Sequence, residues 1–148
     1  MNTATKFITT ISATLFSIFS FTTPVSASDL AFEILGVNSS NGKLYIQLFK
    51  GEKNYQQGKP VSASAISAKE GSVTVLFNNI EEGEYVLRFF HDENDDGEMQ
   101  KNLSGMPVEG YGFSNNAKPN FGPASYNDMK FLVSATDTKV RNQTTVIY

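Results

Sequence analysis

The sequence contains no cysteine, no tryptophan and a single histidine, His91. Without cysteine there is no disulfide, no thiol nucleophile and no lipid-modified N-terminal cysteine. A single histidine excludes a zinc site built from several imidazoles. A serine triad would have to use His91, but its neighbour Asp92 points to the opposite face of a strand. No G-x-S-x-G elbow occurs either, so we expect the protein not to be an enzyme.

Long apolar runs are absent beyond the N-terminal region. There, residues 7–21 form an apolar stretch behind Lys6, and the small residues Val25 and Ala27 precede a cleavage position. This layout is typical of a secretory signal peptide, whereas a membrane anchor needs about 20 strongly apolar residues. We therefore expect a signal peptide at 1–27 and one exported domain at 28–148. That domain would be periplasmic or extracellular, with no membrane insertion after cleavage.

Basic residues are outnumbered: 12 Lys and Arg stand against 15 Asp and Glu, and the formal net charge is −3. Removal of Lys6 with the signal peptide would make the charge more negative. A basic face for nucleic acid or anionic lipid is therefore not expected. A domain of this size buries enough surface to fold without disulfides, and we expect it to be monomeric.

Alternation of apolar and polar residues dominates the rest of the chain and predicts strands. The alternating segments are 30–37, 43–49, 72–80, 81–90, 128–135 and 138–148. Only residues 61–70 have the composition of a helical turn, and they fit an edge strand equally well. The pattern predicts an all-β fold, an antiparallel β-sandwich of about seven strands with immunoglobulin-like or transthyretin-like Greek-key connections. A small closed barrel is the alternative.

One long irregular segment, residues 91–127, has little alternation and much Gly, Asn and Pro. A loop of that length is uncommon unless it is functional. At its start, Asp92, Asn94, Asp96 and Gly97 have the D-x-N-x-D-G spacing of a calcium loop. Alternate side chains on a tightly curled backbone converge on one cation that prefers six to eight oxygens. The candidate metal ligands are Asp92, Asn94, Asp96, Glu98 and Gln100.

The calcium motif is incomplete, because its last ligand position holds Leu103 instead of glutamate. A strand precedes the loop where a helical calcium hand would have a helix. The remaining ligand would have to come from Glu109, Asp128 or water. With few charged ligands we expect a structural Ca²⁺ of weak affinity, about 10⁻⁴–10⁻³ M. The alternative is a solvated acidic turn without an ion.

The stretches "GEYVLRFFHDENDDGEMQKNLSGMPVEGYGFSNNA" and "FGPASYNDMKF" resemble an exported bacterial family, domain of unknown function 2141 (DUF2141). The matching positions are 91–94, 105–107, Glu109, 111–117 and 121–123. Family members often carry Asp at the position of Gln100, and Phe and Glu at those of Tyr126 and Asn127. The resemblance implies an exported β-sandwich and supplies no established activity.

Two aromatic residues are followed by two amide residues in "YGFSNN", residues 111–116. They suggest a ligand-binding shelf, with rings to stack on a sugar and amides to hydrogen-bond it. Alternatively, the rings plug the end of the sandwich and the amides satisfy loop backbone groups. The candidate ligand-binding residues are Tyr111, Phe113, Asn115 and Asn116.

These observations predict an exported accessory or binding module with a calcium loop at 92–100 and an unknown protein or carbohydrate partner. Two other functions stay open. One is a carboxylate-dependent hydrolase of extracellular polysaccharide, which would use a pair among Glu84, Glu93, Glu98 and Glu109. The other is a metal-free structural subunit of a surface assembly, which would present an exposed strand edge.

Overall fold

A computed structural model describes residues 27–148, which form two β-sheets packed face to face. The strands are β1 Ala27–Val37, β2 Lys43–Lys50, β3 Ser62–Ser67, β4 Gly71–Glu81, β5 Gly83–Asp92, β6 Gly110–Phe113, β7 Phe131–Val133 and β8 Lys139–Thr145. The helical elements are α1 Glu52–Gln56, a 3₁₀ turn Ser114–Asn116 and α2 Tyr126–Met129. The predicted all-β sandwich is confirmed. The predicted signal peptide lies, apart from Ala27, outside the described residues.

The two sheets differ in size and regularity. The first has the order β4-β1-β8, and the second has the order β3-β2-β5-β6 with β7 also paired to β5. Strands β6 and β7 lie on the same edge of β5, where Phe113 is opposite Arg88 and Phe131 is opposite Tyr85. The chain between them, residues 114–130, leaves this edge of the sheet. No helix among residues 27–148 has the length and apolarity that a membrane span requires.

A first core fills the space between the sheets. Its buried side chains come from alternate positions of the strands, as the period of two requires. They include Leu30, Phe32, Ile34, Leu44, Ile46, Leu48, Leu87 and Phe89. Burial of each such side chain contributes about 1.5–3 kcal/mol to folding, so this core stabilises the sandwich.

A second core lies on the outer face of the five-stranded sheet. It consists of Phe49, Val86, Tyr111, Phe113, Ala117, Ala124 and Met129. Phe49 and Val86 are fully buried, although they point away from the first core. The larger sheet is therefore covered on both faces, by the smaller sheet on one side and by the chain after β5 on the other.

Of the two alternatives for residues 61–70, the structure has the edge strand, β3 at Ser62–Ser67. It corrects three other expectations. A short helix, α1, lies at Glu52–Gln56, where the sequence pattern predicted none. Strand β6 lies inside the segment expected to be irregular. Its alternation was hidden because Gly110 and Gly112 occupy the inner positions, and a Cβ at Gly112 would come within 2.6 Å of Phe89 Cε1. Finally, β1 and β8 pair in parallel, whereas the other pairs are antiparallel.

Ser64 provides a test of the first core. It lies on β3 opposite Ile46, and its buried hydroxyl has no hydrogen-bond partner among residues 27–148. A buried polar group without a partner costs about 1–3 kcal/mol. We expect Ser64→Ala to raise the free energy of unfolding by about 1 kcal/mol in urea denaturation. Ser67→Ala, at an exposed position of the same strand, is the control, and an equal gain there would contradict this interpretation.

Candidate functional site

The acidic loop begins at a fully buried carboxylate, that of Asp92. Its Oδ1 accepts a hydrogen bond from the Asp96 amide (3.2 Å), and its Oδ2 accepts one from the Gly97 amide (2.8 Å). Gly97 has φ +82°, a left-handed conformation that favours glycine. The loop therefore curls around Asp92, and the buried charge is balanced by backbone N–H groups.

Asn94 and Asp96 continue the same curl. The Asn94 Oδ1 accepts from the Asp96 amide at 3.1 Å. The Asp96 carboxylate accepts from the Glu98 amide (2.9 Å), the Gln100 Nε2 (2.8 Å) and the Asn94 Nδ2 (2.9 Å). These hydrogen bonds lower the pKa of the Asp96 carboxyl below its ordinary value of 3.8, and the bond from the Glu98 amide has the largest effect. Asp96 is therefore ionised at neutral pH, and its bonds weaken as the pH falls through that lowered pKa.

The candidate metal ligands thus share one loop and are joined by hydrogen bonds. Within residues 27–148, no three His, Asp or Glu side chains are arranged around a metal position. Asp92 and Asp96 bind amide groups instead, and the Gln100 side chain donates to Asp96. Asp128, a suggested further ligand, hydrogen-bonds Ser125 at the start of α2. Calcium binding remains a prediction.

Glu109 closes the acidic loop. It is 6% exposed, and its two carboxylate oxygens accept hydrogen bonds from the amides of Glu93 (3.2 Å) and Gln100 (2.9 Å). One side chain thereby ties the start of the loop to its end, ahead of β6. The sequence shows only that a glutamate lies near the loop. Its two amide partners could not be predicted, because their alignment depends on the folded backbone.

His91 is buried on the inner face of β5 and joins separate parts of the chain. One ring nitrogen, Nε2, lies 2.8 Å from the Asn41 carbonyl oxygen, and Nδ1 lies 2.9 Å from the Tyr148 hydroxyl. A carbonyl can only accept, so Nε2 carries the proton and Nδ1 accepts from Tyr148. The Tyr148 oxygen in turn accepts from the Asn38 amide at 3.0 Å. The ring thereby connects β5 to the turn after β1 and to the C-terminal residue.

A cleft of about 1060 Å³ lies on the outer face of the larger sheet. Its floor consists of cross-strand rows on β3, β2, β5 and β6. One row is Ala65, Tyr45, Phe90 and Tyr111. The Tyr45 and Phe90 rings are stacked, with centroids 5.1 Å apart and planes inclined by 9°. These small and aromatic side chains form a flat apolar platform.

The adjacent row of the floor carries a charge. It is formed by Ala63, Gln47, Arg88 and Phe113. Alternation along β2 puts Tyr45 and Gln47 on the face opposite the core residues Leu44 and Ile46. The sequence does indicate that this outer face is covered. Strands buried on one side only have polar residues on the other, whereas here that face carries the aromatic residues Tyr45, Phe49 and Phe90.

The opposite wall of the cleft comes from the chain between β5 and α2. Its residues include Gly97, Met99, Lys101, Met106, Pro107, Phe121 and Pro123. The acidic loop and the cleft meet at Gly97, where a Cβ would lie 3.8 Å from the Tyr45 hydroxyl. The conformation of the acidic loop therefore fixes part of this wall.

The structure separates the four candidate ligand-binding residues into two pairs. Tyr111 and Phe113 line the cleft, with ring centroids 5.9 Å apart. Asn115 hydrogen-bonds the Lys130 carbonyl (2.7 Å) and the Asn142 side chain (2.7 Å). Asn116 accepts from the Thr145 amide at 3.2 Å. The two asparagines thus attach the 3₁₀ turn to β8 and α2, and they do not line the cleft.

Comparison with known proteins gives one match. The profile of a family described as "Uncharacterized protein conserved in bacteria (DUF2141)" matches residues 32–141. The chain belongs to the DUF2141 family. The DUF2141 match contains the whole acidic loop and all the residues that line the cleft. No curated protein and no solved structure matches the chain.

Glu109 makes the closure of the acidic loop testable. In Glu109→Gln one side-chain oxygen becomes an NH₂ group, which cannot accept from a backbone amide. We expect the free energy of unfolding to fall by about 1–3 kcal/mol, measured by urea denaturation. Hydrogen exchange at the Glu93 and Gln100 amides should become faster.

The control is Glu98→Gln, the same chemical change at an exposed residue of the same loop. Its side chain makes no hydrogen bond within the described part of the chain, so neither quantity should change. If Glu109→Gln left both amides as protected as before, Glu109 would not hold the loop closed.

Proposed function

We propose that this DUF2141 protein is an exported binding module that holds a small molecule with a flat apolar face in the cleft. The observation that carries the proposal is the cleft itself, about 1060 Å³ above the stacked rings of Tyr45 and Phe90. Concave, largely apolar sites of this size with a few polar groups are typical of small-molecule binding. Aromatic faces supply area and stacking energy to such a ligand.

The rim of the cleft supports ligand binding. The side chains of Phe121 and Met106 line the cleft and are exposed, Phe121 fully. Phe121 also has φ +53°, a left-handed conformation that is costly for a residue with a side chain. An exposed aromatic ring on a strained backbone at the mouth of an apolar cleft would gain burial when a ligand enters.

Binding is a better fit to the cleft than hydrolysis. Of the outer-face side chains that line it, all but Gln47, Arg88 and Lys101 are apolar or aromatic. Hydrolysis of a polysaccharide would need two carboxylates that flank the scissile bond. Glu109, one of the suggested carboxylates, already has both oxygens bound to backbone amides. We therefore propose recognition of the ligand without turnover.

The acidic loop would bind a structural Ca²⁺ that stiffens the wall of the cleft. Asp92, Asn94 and Asp96 have the calcium-loop spacing, and both carboxylates have lone pairs beyond those used by the amides. The ionised Asp96 and the left-handed Gly97 favour the same curl. Because the loop already folds through its own hydrogen bonds, an ion would add to its stability and would not be needed to form it.

Export is consistent with the start of β1. The hydroxyl of Ser28 is buried and donates to the Asp137 carbonyl. Cleavage after Ala27 would remove only the pairing of Ala27 with Glu81 and would leave this bond and the rest of the pairing of β1 with β4 and β8 in place. The proposed exported form, residues 28–148, therefore contains the sandwich, the acidic loop and the cleft.

Occupation of the cleft can be tested with N-phenylnaphthylamine, a neutral aromatic probe whose fluorescence rises in apolar sites. We expect saturable binding to the purified protein. Ala65→Phe puts a ring into the space beside Tyr45 that the ligand would occupy. Because this ring keeps the ligand from one aromatic contact, binding should weaken about tenfold. The control Thr74→Phe adds the same ring at an exposed position of β4. Binding that is unsaturable, or equal in both variants, would contradict a site in the cleft.

The calcium prediction requires thermal melts in Ca²⁺, in Mg²⁺ and in a chelator. At millimolar Ca²⁺ and the weak affinity expected, binding stabilises the fold by about 1–2 kcal/mol, a rise of several degrees in the midpoint. Asp96→Asn should remove the rise. The control Asp95→Asn removes an equal charge that forms only an exposed ion pair with Lys43. Three superimposed wild-type curves would show that the loop is an acidic turn without an ion.

A further inference from the structure

The charge of the cleft indicates which small molecule it takes. We infer that the ligand is an amphipathic organic anion, with a carboxylate bound by Arg88 and a flat apolar body on the Tyr45–Phe90 platform. This inference rests on the proposed function, because it specifies the ligand of the same cleft. It follows from the state of the Arg88 guanidinium and from the distribution of charge along the cleft.

Arg88 is held in place but is not neutralised. Its Nε donates to the Gln47 Oε1 at 2.8 Å. Its Cζ lies 5.1 Å from the Phe49 ring centroid and 5.8 Å from that of Tyr55, so the guanidinium is within cation–π distance of both rings. The ion pairs among residues 27–148 use Lys43, Lys50 and Lys130, and none uses Arg88.

A guanidinium has five N–H donors in a fixed plane. Here one N–H is used by Gln47, and the four terminal N–H groups have no acceptor in the described part of the chain. Such a plane binds a carboxylate through two parallel hydrogen bonds. The hydrogen bond to Gln47 and the contacts with Phe49 and Tyr55 restrain the guanidinium before the ligand arrives, which reduces the entropy lost on binding.

The lining of the cleft has the opposite charge to the chain as a whole. The chain has a formal charge of −3, yet the charged residues that line the cleft are Arg88 and Lys101. Along the acidic loop, Gly97 and Met99 contribute to the lining while Glu98 between them does not. The fold therefore keeps carboxylates out of this cleft, which favours an anionic ligand over a neutral or cationic one.

The position of Arg88 also defines the shape of the ligand. Arg88 lies beside Phe113 in one cross-strand row, and Phe90 lies beside Tyr45 and Tyr111 in the next. If the carboxylate of a ligand binds Arg88, the ring or alkyl body of that ligand would lie over the aromatic platform in the neighbouring row. This arrangement suits an aromatic or alkyl carboxylic acid.

The test compares naphthoate with naphthamide of the same isomer, which have the same flat shape and differ in charge. Each is used to displace N-phenylnaphthylamine from the purified protein. We expect wild-type protein to prefer naphthoate about tenfold, the contribution of one charge-assisted pair. Arg88→Gln should reduce this preference to about threefold or less, with Lys101 supplying the remainder.

The matched control is Arg141→Gln, which removes the other arginine of the chain, on β8 outside the cleft. It should leave the preference unchanged. The ratio of the two ligands is measured within each variant, so any loosening of the cleft affects both ligands alike. Arg88→Lys keeps the charge but loses the planar pair, and we expect an intermediate preference.

The outcomes separate the two proposals. Binding of both ligands with equal affinity, or a preference that survives Arg88→Gln, would overturn the anionic ligand and leave the cleft as a binding site. Failure of the neutral probe to bind would overturn the cleft as a binding site, and the anionic ligand with it. A preference for naphthoate that is lost in Arg88→Gln and kept in Arg141→Gln would support both.

Discussion

The structure depends on the two-sided burial of β2 and β5. In most antiparallel sheets one face packs on a core and the other meets water. Here the inner side chains of both strands fill the space between the sheets, and Phe49 and Val86 are buried on the outer face. A central pair of strands with two apolar faces must be covered twice. The chain between β5 and β7 supplies the second cover, and the cleft is the part of that face which it leaves open.

The second cover is a long connection, so it needs anchors of its own. At one end Asp92 and Glu109 accept hydrogen bonds from four backbone amides. At the other end Asn115 and Asn116 attach the 3₁₀ turn to α2 and β8. The first anchor uses carboxylate oxygens that accept from loop amides. The second uses amide side chains, with Asn115 donating to the Lys130 carbonyl and Asn116 accepting from the Thr145 amide. The negative charge of the acidic loop therefore has a structural use whether or not an ion is present.

Periodicity identified the sandwich because most strands alternate over a single core. The pattern in β2, with Leu44, Ile46 and Leu48 on one face, is enough to predict a strand. It failed for β6, where glycines replace the inner side chains, and for α1, which is too short to show a helical period. Asp92 was predicted to be a metal ligand, and that stays a prediction. The two amides that its carboxylate binds could not be predicted, because backbone direction in a curled loop is set by the fold.

The cleft could not be predicted from the sequence, and the reason is physical. Tyr45, Phe90 and Arg88 come from two strands, and Tyr111 comes from a third that follows a long connection. Their proximity is a matter of register, with Tyr45 opposite Phe90 and Phe90 opposite Tyr111. Local sequence shows which residues share a face of one strand. It does not show which strands are neighbours, and so it cannot assemble a surface from several of them.

The pairing of β1 with β8 has a consequence for the order of folding. The middle strand of the smaller sheet is the first strand in the chain, and one of its partners is the last, with Asp29 opposite Lys139. Contacts so distant in sequence give the topology a high contact order, which slows folding. The smaller sheet cannot be completed until nearly the whole chain is available. A growing chain would therefore complete its smaller sheet only after its final strand has emerged.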